Sequence, residues 1–457
     1  MTIHGLEAGL IQQLLARVRP ELREHGASGS AVDGAGAIDD GVLDWAASPS
    51  VSEGDAAADS VVNSTGEAGA RDTADPRGSQ NECAQVFAGA AWSTLAEPGD
   101  AVAGLVVLQL GADRALGLLR SMVGPEDWLT RLGPTVGGSL SVSDMAAALD
   151  RWRPRLSSRA VLSALRSAAE LGARLVLPCD DDWPEGFTAL GVHQPMALWV
   201  RGTAGLVQEE SVAVVGSRDA TNYGEHVASE IAAGLSDRGV AVVSGAAYGI
   251  DGMAHRATLA SGGRTVAFLA GGVDRLYPAA HSELLGRIIA EGSVVSELPC
   301  GSSPTKWRFL QRNRLIAALA DATVVVEAGQ RSGSLNTAGH AAALGRPLGA
   351  VPGPITSPTS AGCHRLLREF DAVCVTSAGE VIELIRGPAD PASPSVDPRL
   401  RGPDGTRLLD ALSRRAARGS TELARLTGLA PGVVRSALGL LLAEGAARET
   451  PAGWLRT

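Results

Sequence analysis

SVAVVGSRDAT, residues 211–221, carries an apolar, β-branched run directly into a small-residue loop holding one arginine, and a helical pattern comes after it. Ser211 to Val215 reads as a buried strand of the parallel type. Gly216 and Ser217 permit a tight turn with outward N–H groups, and Arg218 adds a planar fork suited to phosphate. From Asn222 to Arg238, Val227, Ile231 and Leu235 recur every fourth residue, one stripe of a helix laid against a sheet. A helix N-terminus aimed at such a loop is an anion site. The loop is neither GxGxxG nor a Walker sequence, so neither dinucleotide binding nor NTP hydrolysis is signalled.

Strand-loop-helix alternation extends over residues 158–387. Candidate strands are Arg174–Leu177, Ala197–Val200, Val212–Val215, Ala241–Ser244, Thr265–Ala270, Ser293–Ser296, Ala322–Val326, Leu348–Val351 and Ala372–Val375. Helical segments between most of them imply right-handed crossovers and an α/β fold on a parallel sheet covered on both faces. Ligands of such sheets sit at the carboxyl ends of the strands. Four further loops lie there: SGAAYGID from Ser244, AGGVDRLYP from Ala270, EAGQRSGSLNTAGHAAALG from Glu327, and PGPITS after Val351. So many Gly- and Ser-rich loops on one edge exceed what chain turning requires, and they let a sugar-phosphate approach the backbone.

TKWRFLQRNRLIAALA, residues 305–320, packs Lys306, Arg308, Arg312 and Arg314 around Trp307, Phe309 and Asn313. Basic side chains interleaved with aromatics suit a single strand, whose phosphates need charge and whose bases need stacking surfaces. Asp251 and His255, at i and i+4, read either as a metal or acid/base pair or as a helix-capping Asp beside a packing His. No third ligand is evident, and no metal site is expected.

The formal net charge of −10 has to be located before it is interpreted. Between Ser28 and Glu82 eleven acidic residues face only Arg71 and Arg77, a local −9, so the rest of the chain is close to neutral. Residues 28–82, rich in Ala, Gly, Ser and Asp, bury too little surface to offset chain entropy and are expected to be disordered. Residues 1–27 form a helical leader that either pairs with the next helical domain or hangs loosely. Residues 83–157 form that small helical domain, whose GxG-containing hairpin reads as a DNA-backbone grip or as plain packing. Residues 388–404 are a Pro-rich linker. Residues 405–457 read as three helices and a terminal hairpin, a winged-helix-like arrangement with Ser420 or Thr421 as N-cap of its second helix. That module carries a local +4 from Arg401 onward and serves either DNA or protein contacts. Five scattered cysteines without CxxC spacing fit a reduced cytoplasmic protein, and nothing approaches the roughly 20 apolar residues of a membrane span.

The motifs GSRDATNYG, SGAAYGIDGMAHR, TVAFLAGGVDRLYP, SELP, FLQRNRLIAAL, VVVEAGQRSGSLNTAGHAAALGRP and VPGPITSPTSAGCHRLL, in this order between about Leu171 and Ile385, resemble the DNA-processing protein A (DprA/Smf) family. The resemblance implies an extended Rossmann-like domain flanked by a SAM-like helical domain and a winged-helix-like module. It implies a homodimer that binds single-stranded DNA in natural transformation and recombination, protects incoming strands and loads the RecA recombinase, with no cofactor, no established catalysis and no membrane partner. By motif, the strand-binding positions would be Gly216, Ser217, Arg218, Thr221, Ser244, Gly245, Ala247 and Gly249, joined by Lys306, Arg312 and Arg314. Arg308 of the same strip and Ser332 and Ser334 of the Gly/Ser loop complete the set. Two departures stand out: Tyr248 occupies a place where the family pattern commonly has arginine, and Leu310 one where it has proline. Glu327, after a strand and before a Gly/Ser loop, also resembles the arrangement in nucleoside-monophosphate phosphoribohydrolases of related fold, which is the alternative reading. Such enzymes carry PGGxGT where this chain has RSGSLNT.

Overall fold

The structure, a computed structural model, describes residues 2–23, 76–134, 140–202, 210–387, 403–443 and 445–457. Most of the acidic segment and of the Pro-rich linker lies outside the described residues. Two compact units result, Met1–Gly387 and Pro388–Thr457.

Nine short strands build the sheet of the first unit: β1 (Arg174–Val176), β2 (Leu198–Gly202), β3 (Ser211–Val215), β4 (Ala241–Ser244), β5 (Thr265–Phe268), β6 (Ser293–Ser296), β7 (Ala322–Val325), β8 (Leu348–Ala350) and β9 (Val373–Cys374). Their order is β9-β8-β7-β3-β4-β5-β6-β2-β1. From β9 to β6 every pairing is parallel, with Val212 opposite Val242 on one side of β3 and Val215 opposite Val325 on the other. At the far edge β2 runs antiparallel to β6, and β1 to β2, so the sheet is mixed rather than wholly parallel. The reason is local: β1 and β2 are joined by the 3-10 segment Glu185–His193, with no helical crossover between them. Central strands such as β3 are buried along their whole length, which is why they read as continuous apolar runs.

The chain steps outward from β3 through β4 and β5 to β6, then returns across β3 to β7. That reversal makes the β3–β7 boundary a topological switch point, where the loops leaving the two strands part and open a crevice. In the first unit the helices are α1 (Ala8–Val18), α2 (Pro76–Leu95), α3 (Ala101–Leu110), α4 (Ala112–Arg120), α5 (Pro125–Leu132), α6 (Val142–Trp152), α7 (Ser158–Glu170), α8 (Asn222–Ser236), α9 (Ile250–Ala260), α10 (Ser282–Glu291), α11 (Lys306–Leu319), α12 (Ser334–Ala343), α13 (Ala361–Glu369) and α14 (Ala378–Arg386). α11 is the return crossover, and its N-terminus lies at the crevice.

The helices before the sheet share a core with it. Trp92, Trp128 and Trp152 are fully buried and meet edge to face, with Trp152 5.2 Å from Trp92 and 6.4 Å from Trp128. Asp100 caps α3 and accepts the Trp152 indole N–H at 3.1 Å, while the Trp199 indole of β2 donates to Ser93 at 3.2 Å. Ile11, Leu15 and Val18 bury one face of α1 in the same cluster, so the leader is packed into the unit. α2 begins at Pro76, upstream of Cys83. Among the described residues no single helix is long and apolar enough to cross a membrane; α3 and α4 are apolar enough together but bend by 110° at Gly111.

The second unit holds α15 (Pro403–Ala411), α16 (Ser420–Thr427), α17 (Pro431–Ala443) and an antiparallel hairpin, β10 (Ala447–Thr450) with β11 (Gly453–Arg456), around Leu408, Leu423, Val434 and Leu438. Gly419, not Ser420 or Thr421, is the N-cap of α16. The backbone of Arg418, one residue earlier, exchanges hydrogen bonds with Trp454 of β11, and this holds the chain extended into Gly419.

Candidate nucleic-acid interface

The turn after β3 is fixed by what surrounds it. A Cβ on Gly216 would sit 2.5 Å from Ile250 Cγ1, and the Ser217 N–H donates to the Glu327 carbonyl at 2.7 Å. Thr221 caps α8 by accepting from the Gly224 N–H at 3.2 Å; it also gives its own N–H and hydroxyl to the Glu327 carboxylate at 2.9 and 2.7 Å. Thr359 donates to the same carboxylate at 3.1 Å. Glu327 is therefore a buried clasp between the β3, β7 and β8 loops. The phosphoribohydrolase reading, which needed this carboxylate at a nucleotide, finds it turned inward instead.

The turn after β4 is organised by a buried carboxyl and a buried guanidinium, each bonded to the loop backbone and each feeling the other's charge. Ser244 is fully buried and donates to the Val214 carbonyl at 2.7 Å, tying β4 to β3. The N–H groups of Gly245 and Ala247 donate to Asp251 at 3.1 and 3.4 Å. Burial raises the Asp251 carboxyl above its ordinary range, against the pull of Arg312 and of those N–H groups. Arg312, itself buried, donates from one nitrogen to the carbonyls of Gly245 and Phe268, both at 2.6 Å, and its pKa is lowered to about 10 by burial. His255 faces the other way, its Nδ1 2.7 Å from the Thr265 hydroxyl. Asp251 and His255 thus serve separate contacts, and among the described residues no three His, Cys, Asp or Glu side chains form a group able to hold a metal ion.

Gly249 closes this turn at a φ of +70, and a Cβ there would lie 2.3 Å from the Ser217 carbonyl oxygen. Gly249→Ala is expected to cost about 1–3 kcal/mol through left-handed strain and that clash, measured by denaturant unfolding.

Between the loops lies a cavity of about 880 Å³. Gly216, Ser217, Arg218 and Asp219 form one wall, Thr305, Lys306, Phe309 and Arg312 another, and Arg331 to Ser334 a third. Arg218 is exposed and lies 5.0 Å over the Phe309 ring; Tyr277 stands 5.7 Å from the same ring. Thr305 caps α11 by accepting the Arg308 N–H at 3.3 Å, which leaves Lys306 exposed in the first turn. Ser332 and the buried Ser334 line the third wall with their hydroxyls 2.8 Å apart.

The sequence-predicted residues divide accordingly. Gly216, Ser217, Arg218, Ala247, Lys306, Arg312, Ser332 and Ser334 meet at the cavity. Thr221, Ser244, Gly245 and Gly249 stand behind it and shape the turns. Arg308 forms a two-pronged pair with Glu97 at 2.8 and 3.0 Å, which Arg155 joins at 2.8 Å. Arg314 is buried on Glu297 at 2.8 Å. Trp307, 56% exposed, does not line the cavity. The backbone cradle expected from the glycines is largely turned inward, since the N–H groups of Ser217, Gly245 and Ala247 already have partners. The exposed cations Arg218, Lys306 and Arg331 remain as the charged edge. Sequence reasoning misses Arg331 and Tyr277, although both sit in loops whose Gly and Ser content marks them.

Residues 174–386 match the family described as DNA recombination-mediator protein A. A DNA processing protein DprA of Mycobacterium tuberculosis is 48% identical over 299 residues, covering 62% of this chain and 77% of its own. The DNA processing protein DprA of Streptococcus pneumoniae is 39% identical over 203 residues, 44% of this chain and 71% of its own. The X-ray structure of DNA processing protein A from Streptococcus pneumoniae matches with a TM-score of 0.50 and 30% identity, over 64% of this chain and 95% of that one.

Proposed function

Since the chain belongs to the DNA-processing protein A family, we propose that its cleft at the β3–β7 switch point binds single-stranded DNA. The observation that carries this is Arg218 stacked on Phe309 beside Lys306, at the mouth of a cavity wide enough for a nucleotide. A guanidinium on a ring offers its outer edge to a phosphate while the ring keeps a face for a base. Arg218 and Lys306 are the phosphate contacts in this reading, and Phe309 with Tyr277 supplies the stacking surface. Arg312 is a positioning residue that holds the two loop carbonyls in place. The finer reading rests on the family resemblance: a cytoplasmic homodimer that protects incoming strands during DNA uptake and hands them to the RecA recombinase, without chemistry of its own.

Titrating an oligothymidine and its duplex counterpart at two salt concentrations tests the cleft. The Arg218→Ala/Lys306→Ala protein is expected to bind single strands at least about a hundredfold more weakly, each charged contact being worth about 1.5–3 kcal/mol. Its salt dependence should flatten by about 0.7 per lost phosphate contact. Unchanged affinity would place the strand elsewhere.

A further inference from the structure

The cleft does not end at Arg331. That residue also lines a second hollow, of about 270 Å³, whose other walls are Gln330, Ala361, Arg365, Arg368 and Glu369. The two spaces meet at one exposed guanidinium.

α13 is fixed rigidly to the loop that carries it. The Gly362 N–H donates to the Ala328 carbonyl at 2.7 Å, and the Ala328 N–H donates to the Thr359 carbonyl at 2.8 Å. A Cβ on Gly362 would lie 2.6 Å from the Ala328 carbonyl oxygen and 2.8 Å from that of Gly329, so only glycine permits this approach. Arg365 and Arg368, at i and i+3, therefore share the side of the helix that faces the hollow. The Arg365 guanidinium lies 5.5 Å over Phe370. Glu369 is the one carboxylate lining the hollow, 2.8 Å from Arg365 and 3.4 Å from Arg368. Both arginine side chains stay open to solvent, at 50% and 75% exposure. Three guanidiniums thus face one carboxylate.

We propose that this hollow is a second phosphate subsite, which takes the backbone of the same single strand as it leaves the main cleft past Arg331. This rests on the reading of the main cleft as a single-strand site. Exposed ion pairs such as those of Glu369 are weak in water, so they yield to phosphate oxygens, which guanidinium forks match well. A free nucleotide or inorganic phosphate offers the same oxygen chemistry, and strand length separates the sources.

Full-length wild type and Arg365→Ala/Arg368→Ala are titrated with oligothymidines of about four and about sixteen nucleotides, the span of known single-strand grooves. The short strand should bind both proteins alike. The long strand should bind the variant at least about tenfold more weakly, with a salt slope smaller by about 0.7 per lost contact. Glu369→Gln, which removes the competing carboxylate and keeps the fold, should tighten long-strand binding. Long-strand affinity unmoved by either variant overturns the subsite. Equal losses for both lengths, or competition by inorganic phosphate against both alike, would show an anion site off the strand's path and overturn it too. If wild type binds neither length, the reading of the main cleft fails and the extension with it.

Discussion

Arg312→Met lowers the unfolding free energy of the first unit by about 3–5 kcal/mol, the cost of leaving two buried carbonyls without their donor and a buried carboxyl without its nearby cation. The guanidinium joins the ends of β4 and β5 through the Gly245 and Phe268 carbonyls, and it is the buried cation that offsets Asp251. Methionine fills much of the volume but leaves two buried carbonyls without a donor and a buried carboxyl without compensation. A Cβ on Gly245 would lie 2.3 Å from Arg312 Nη1, so guanidinium and loop are packed in contact and should fail together. Single-strand binding is expected to fall with stability, although Arg312 is no phosphate contact in the proposed mode. The control is Arg312→Met/Asp251→Asn, which removes both charges and should recover a measurable part of the loss in denaturant unfolding. A single substitution costing under about 1 kcal/mol would show that the guanidinium is not what holds the turn.

The second large effect is a loss of stability in mild acid caused by His255. The Thr265 hydroxyl gives its hydrogen to the Val242 carbonyl at 2.7 Å, so the imidazole must donate from Nδ1 to that hydroxyl. Nε2 is then the bare nitrogen, buried and without a hydrogen-bond partner. Protonation would place an uncompensated charge there, with His281, Arg312 and Arg256 also repelling it, and burial before all else lowers the pKa from 6.5 to about 3. The unfolded chain therefore binds the proton first as pH falls. Stability is full above pH about 6.5 and declines below it by up to about 1.4 kcal/mol per pH unit from this residue alone. Glu97, whose carboxyl Arg308 and Arg155 hold below its usual range, contributes only below its ordinary 4.5. Between about 4.5 and 6.5 the half-buried His340, also lowered by burial, adds to the loss and the raised Asp251 opposes it, so the His255 share is read as the difference between wild type and a His255 variant. His255→Gln should flatten the stability profile in that interval. An NMR titration should show the His255 ring still neutral at pH 4.5; a midpoint near 6.5 would contradict the buried, partnerless nitrogen.

All nine strands were legible because each is a short apolar or β-branched run bounded by turn residues. Their neighbours were not: nothing in the run Leu198–Val200 tells it to lie antiparallel beside Ser293–Ser296. The basic strip shows what periodicity could have added. Lys306, Phe309, Asn313 and Ile316 lie along one side of a helix and line the cavity, whereas Arg308 and Arg314 fall on flanks and end on Glu97 and Glu297. Read as composition, the four cations looked equivalent; read by helical phase, they separate. The inward use of loop N–H groups by Asp251 and the Glu327 carbonyl was beyond reach, since it depends on contacts between loops distant in sequence.

Lys306 is the only lysine in the chain, and it stands exposed at the cleft mouth. An amine-directed dye or crosslinker therefore finds a single side-chain target in the whole protein, and that target reports directly on whether the cleft is occupied. Immobilisation through amines would blind the very surface under study. A lysine-specific protease has one cleavage point, after residue 306 in the first turn of α11, so protection of that one bond becomes a footprint of bound strand.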